Sequence, residues 1–197
     1  AAGAKGKIVV AGRFDGQLDA CGSTLTSDDD KDTDGSATND EGKADVDKDA
    51  FVVALDADGE CLWSKSFGGY GDLGLTGLAL GKDGTVFLAG SFEGSLDLGK
   101  PCPHMDSQGG TDVWVAALSP AGACQWTRQL DFGGSDVAED LSVDAAGRLW
   151  VTGACADGTL APCDVGAGRN VFLTRLEIAA DAGEVTWLVV ETDDLPR

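Results

Sequence analysis

An all-β fold built from three repeated four-stranded antiparallel units is what this sequence predicts, and three observations predict it. An apolar run carrying a glycine recurs: Ile8-Val-Val-Ala-Gly-Arg-Phe14, Val86-Phe-Leu-Ala-Gly-Ser-Phe92 and Leu149-Trp-Val-Thr-Gly-Ala-Cys155. Each run is followed by a second apolar run and then by a strand bearing a tryptophan (Trp63, Trp126 and Trp187), spaced about 60 residues apart. Glycines fall between the runs, at Asp58-Gly59, Asp83-Gly84, Ala146-Gly147 and Asp157-Gly158, where hairpins need positive φ. A fixed period of this kind is a repeat architecture, and helical periodicity is almost absent.

Taken in order, the first unit (1–70) supplies strands over Ile8–Phe14, Phe51–Leu55 and Cys61–Phe67. It lacks an innermost strand, because Ala1-Ala-Gly-Ala-Lys-Gly matches the turn that follows that strand in the third unit, Ala145-Ala-Gly147. The second unit (71–134) is complete, with strands over Leu75–Leu80, Val86–Phe92, Val113–Leu118 and Cys124–Leu130. The third (135–197) repeats it over Leu141–Val143, Leu149–Ala154, Val171–Leu176 and Val185–Val190. The second strands are apolar on consecutive residues, which predicts burial on both faces. Four-stranded units of this length, stacked face on face, describe β-propeller blades in an incomplete ring. An open array leaves two raw sheet faces. The expected partners are therefore a second copy of the chain, the remaining blades of a longer chain, or a larger assembly. The tail Glu191–Arg197 carries Pro196 and acids, and makes a poor central strand.

Composition narrows the function. The net charge of −20 disfavours nucleic acid and anionic membrane surfaces. No apolar run reaches the roughly 18–20 residues of a membrane helix, so membrane insertion is not expected. Ten acids stand against three lysines in residues 28–49, within an insertion (26–48) between the second and third strands of the first unit.

The stretch Asp83-Gly-Thr-Val-Phe-Leu-Ala-Gly-Ser-Phe-Glu-Gly-Ser-Leu-Asp-Leu-Gly99, followed by Thr111-Asp-Val-Trp-Val-Ala-Ala-Leu-Ser-Pro-Ala-Gly-Ala-Cys-Gln-Trp126, resembles the bacterial β-propeller repeat called SBBP. Recurring positions are Gly12, Gly90 and Gly153 in the second strand, Asp49, Asp112 and Asn170 before the third, and the tryptophan of the fourth. The resemblance implies a secreted or cell-envelope protein with scaffold, surface or assembly roles and no reaction.

Six cysteines fall in register with the repeat. Cys21 and Cys102 follow the second strand, and Cys61 and Cys124 sit two residues before the tryptophan. In the third unit Val185 takes that last place while a new cysteine appears at Cys155, beside Cys163. Of fifteen connectivities, Cys21–Cys61, Cys102–Cys124 and Cys155–Cys163 fit this pattern. Six reduced cysteines are the alternative; zinc spacing is absent. Disulfides imply the periplasm, cell surface or medium.

Within the insertion, Asp30-Lys-Asp32-Thr-Asp34-Gly35-Ser36 leading to Glu41 matches D-x-D-x-D-G-x₅-E. Alternate carboxylates, a glycine turn, the Ser36 carbonyl and a distal glutamate are calcium chemistry. The cofactor expected is calcium, held by Asp30, Asp32, Asp34, Ser36 and Glu41; the alternative is a solvated acidic loop. Asp45 and Asp47 add ligands or only charge, and Asp49 is expected to cap the third strand. For catalysis there is one histidine, His104, and no motif pairs it with a nucleophile. The expectation is a non-enzymatic scaffold. The alternatives are a carbohydrate- or surface-binding adhesin, or the non-catalytic part of a propeller enzyme.

Overall fold

The computed structural model describes residues 1–3, 6–27, 48–156 and 169–176. Its strands are β1 (Ile8–Phe14), β2 (Gln17–Ala20), β3 (Ser23–Thr26), β4 (Asp49–Leu55), β5 (Cys61–Phe67), β6 (Gly77–Leu80) and β7 (Val86–Phe92), then β8 (Ser95–Leu96), β9 (Met105–Asp106), β10 (Asp112–Leu118), β11 (Cys124–Leu130), β12 (Ser135–Val143), β13 (Leu149–Ala156) and β14 (Arg169–Leu176). Every pairing is antiparallel. The first sheet runs β1-β4-β5, the second β11-β10-β7-β6 and the third β12-β13-β14. Two small hairpins, β2-β3 and β8-β9, project after the second strands of the first two units. The expected Val185–Val190 strand lies outside the described residues.

Turns close these sheets as the glycines require. Gly59, Gly84 and Gly147 have φ of 83°, 88° and 84°, and their amides donate to the carbonyls of Asp56, Gly81 and Asp144. An L-residue with a Cβ would be strained there.

The second sheet is buried on both faces, and strand parity decides which core each residue enters. Val86, Leu88, Phe92, Trp114, Ala116 and Leu118 meet the first sheet's Val9, Ala50, Val52, Ala54 and Phe67. Their neighbours in sequence, Phe87, Ala89, Val113, Val115 and Ala117, meet Ala138, Leu141, Leu149, Val151 and Phe172 of the third sheet. This is why β7 and β10 read as continuous apolar runs. Where the two faces part, so does burial: Ile8 and Val10 are 38% and 45% exposed while Val9 is 1% exposed. The first sheet's outward face also leaves Leu62 uncovered, and the third sheet leaves Val171 uncovered.

The recurring glycine of the second strand has a packing cause. In register it faces the aromatic residue of the third strand: Gly12 opposite Phe51, Gly90 opposite Trp114, Gly153 opposite Phe172. The ring lies across the glycine, so a Cβ there would meet ring atoms of its partner, at 2.8 Å in the first two pairs. Trp114, fully buried, also donates from Nε1 to the Gly74 carbonyl at 3.0 Å. Of the repeated tryptophans, Trp63 reaches the next unit and Trp126 packs within its own sheet. Trp63 donates to the Pro120 carbonyl at 2.9 Å, and Trp126 packs on Phe87 with ring centroids 6.2 Å apart.

Candidate functional site

The expected calcium ligands Asp30, Asp32, Asp34, Ser36 and Glu41 all lie outside the described residues. Of the cysteines, Cys21 and Cys61 are bonded with Cα atoms 5.4 Å apart, and Cys102 and Cys124 with Cα atoms 6.0 Å apart. Each bond ties an excursion hairpin to the outer strand of its own sheet: Cys21 sits in the β2-β3 turn, Cys102 between β8 and β9. Cys155 is buried and engaged; its expected partner, Cys163, lies outside the described residues. His104 is exposed and pairs with Asp106 at 3.1 Å.

The densest chemistry lies elsewhere, where the second sheet meets the third. One carboxylate oxygen from each of Asp112, Asp131 and Asp136 lies within 4.8 Å of the other two. Asp112 opens β10, Asp131 follows β11, and Asp136 is the second residue of β12. Asp112 and Asp136 are both 0% exposed, and Asp131 is half-buried.

Local hydrogen bonds fix the carboxylates. Asp112 Oδ2 accepts from the Gln108 amide at 2.7 Å and from Gln129 Nε2 at 2.6 Å. Asp136 Oδ2 accepts from the Phe132 amide at 2.8 Å, while its own amide donates to the Thr111 carbonyl at 2.6 Å. Asp131 Oδ1 accepts from the Gly133 amide at 2.7 Å. The other oxygens of the buried pair, Asp112 Oδ1 and Asp136 Oδ1, accept no hydrogen bond among the described residues.

Electrostatics follow from that placement. Burial pushes the Asp136 carboxyl up to about 6, against the Phe132 amide, with the charges of Asp112 and Asp131 adding to the rise. Burial also raises Asp112, opposed by Gln108 and Gln129 and assisted by Asp131. An acid raised in the folded state binds its proton more tightly there than in the unfolded chain. Its stabilising contribution is complete below the ordinary carboxylate range and is lost as pH rises through about 6. In chelating buffer, the stability difference between wild type and Asp136→Asn should therefore move against the wild type by about 2–3 kcal/mol between pH 4 and pH 7.5. Urea midpoints across that range check it; a difference independent of pH would refute it.

Sequence reasoning noted Asp112 as a recurring residue but missed the cluster. The signal was a departure from the repeat. Ala50 faces Phe67 as Val113 faces Leu130, so Gly68 stands where the next unit has Asp131. Leu73 bridges Phe92 as Asp136 pairs with Cys155, so Leu73 stands where the next unit has Asp136. The junction of the first and second sheets thus holds Asp49, Gly68 and Leu73, with one acid in place of three.

A shallow surface pocket of about 450 Å³ adjoins this region, lined by Tyr70, Asp72, Glu93, Gly94 and Ser107 among others. Comparison with family models and with curated proteins finds no match for this chain.

Proposed function

We propose that the chain is a non-enzymatic β-propeller segment of an extracellular or periplasmic protein, serving as a structural and protein-interaction scaffold. The observation that carries this reading is the stack itself. Three antiparallel sheets pack face on face, the middle one is buried on both sides, and apolar residues remain uncovered on the first (Ile8, Val10, Leu62) and third (Val171). By register, the outer face of β1 and β4 is the counterpart of the face that β7 and β10 turn toward the first sheet. A surface of that kind is suited to another sheet, from a second copy, from further blades or from a different protein. Two disulfides fit an oxidising compartment. Among the described residues no helix is long and apolar enough to cross a membrane. A calcium-bound acidic segment around Asp30–Glu41 belongs to the same reading.

Sedimentation velocity across concentration, with ANS fluorescence beside it, tests the proposal. Self-association or strong ANS binding is expected, and Val10→Glu should abolish either. A monomer that binds no ANS, or a response indifferent to Val10→Glu, removes the reading. A carbohydrate-binding role has one observation in its favour: the exposed ring of Tyr70 beside the acids Asp72 and Glu93. Glycan binding lost in Tyr70→Ala would move the function to that pocket.

A further inference from the structure

We propose that Asp112, Asp131 and Asp136 form a calcium site that fastens the second sheet to the third. Two of these side chains are fully buried, and each keeps one carboxylate oxygen without a hydrogen bond among the described residues. An orphaned charged oxygen at that depth is costly unless a cation or a proton meets it. Their other oxygens are already held by the amides of Gln108 and Phe132 and by Gln129. Those bonds hold the carboxylates in place and leave the Oδ1 atoms as free donors.

The repeat argues against a merely structural origin. The neighbouring junction occupies the positions of Asp131 and Asp136 with Gly68 and Leu73, and Leu73 is 2% exposed in an ordinary apolar core. Packing two sheets of this kind therefore does not require the acids. Of the two described junctions one carries them, at places where the other holds glycine and leucine.

The donor set selects the metal class. Three carboxylates and no sulfur or imidazole is a hard, all-oxygen set, suited to calcium, magnesium or manganese and not to zinc or copper. Asp131 is only half-buried, so water can complete the shell from its side. Calcium accepts the irregular arrangement of ligands from three separate segments, whereas magnesium demands near-octahedral geometry and sheds water reluctantly. With ligands on β10, after β11 and on β12, one ion bridges the two sheets. Two charges on the ion against three carboxylates leave a residual charge of one.

The test uses the whole chain, with Asp32→Asn and Asp34→Asn introduced so that the acidic segment cannot supply the signal. Thermal unfolding is followed in EDTA and then with calcium, magnesium or manganese chloride. Calcium at about ten times its dissociation constant, with affinity in the 10⁻⁴–10⁻³ M range of extracellular modules, should raise Tm by about 3–5 °C. Asp131→Asn should abolish most of that rise. The paired change Asp131→Gly with Asp136→Leu copies the neighbouring junction, so it should fold, melt in EDTA no lower than its parent, and ignore calcium. No calcium response, as expected if Asp112 and Asp136 merely share a proton, would overturn the proposal. So would a response that survives the paired change, or one larger for magnesium or manganese than for calcium.

Discussion

Replacing Trp114 with alanine is expected to cost about 4 kcal/mol, the largest single-residue loss in the described chain. The side chain is 0% exposed, sits between the first and second sheets and lies across Gly90. Truncation opens a cavity that no neighbour can fill: the residue facing it is a glycine, and Gly12 and Gly153 show the same pairing with Phe51 and Phe172. The repeat also predicts the gentle alternative. Phe51 and Phe172 do the same work, so Trp114→Phe should cost only about 1–2 kcal/mol, chiefly the indole hydrogen bond to Gly74. The Gly74 carbonyl keeps the Ser91 amide as a donor, at 3.2 Å, which limits that loss. Urea unfolding of the two variants decides the matter. Equal losses would mean that the ring does not fill the space described.

The second large effect concerns the two disulfides, and loop length and burial rank them oppositely. Cys21–Cys61 spans 40 residues of sequence and Cys102–Cys124 spans 22. Loop-closure entropy gives about 3.9 and about 3.4 kcal/mol, a difference of only about 0.5 kcal/mol. Cys102 and Cys124 are 7% and 5% exposed and belong to the core between the first and second sheets, whereas Cys61 is exposed. Removing the buried pair adds a packing loss of about 1 kcal/mol or more. The variant Cys102→Ala/Cys124→Ala should therefore unfold at lower urea than Cys21→Ala/Cys61→Ala. The reverse order would show that constraint of the unfolded chain outweighs packing here.

What could be read from the residues divides along physical lines. β1, β5, β7 and β11 have the bounds expected, because β1 and β7 are apolar runs and β5 and β11 repeat a Cys-x-Trp start and an apolar last residue ahead of a glycine pair. The all-β class and two cysteine bridges were legible for the same reason: the repeat displays each feature more than once. β12 begins at Ser135, six residues ahead of the expected Leu141, since four of the six residues of Ser135–Asp140 are polar and its strand character comes from pairing with β13 through a bulge between Ala138 and Asp140. The hairpins β2-β3 and β8-β9 were not foreseen. They are two to four residues per strand, too short for a period to stand out, and β2-β3 turns on Cys21 and Gly22, both at positive φ. Asp131 and Asp136 do not stand out in a sequence with 34 acids. Only superposing one junction on the next makes them conspicuous, and that requires the strand register.

Parity in β7 and β10 has a consequence for how the chain finds its alignment. In a sheet with one wet face, sliding a strand by one residue throws its greasy side chains into water, and polarity alone forbids the error. Here both sides of the two strands are greasy, so polarity is blind to such a slide. What remains is bulk: the slid strand would set Trp114 against Ala89 or Ser91 in place of Gly90. A lone missing Cβ, and not the oil-and-water pattern, is the notch that keys the middle sheet.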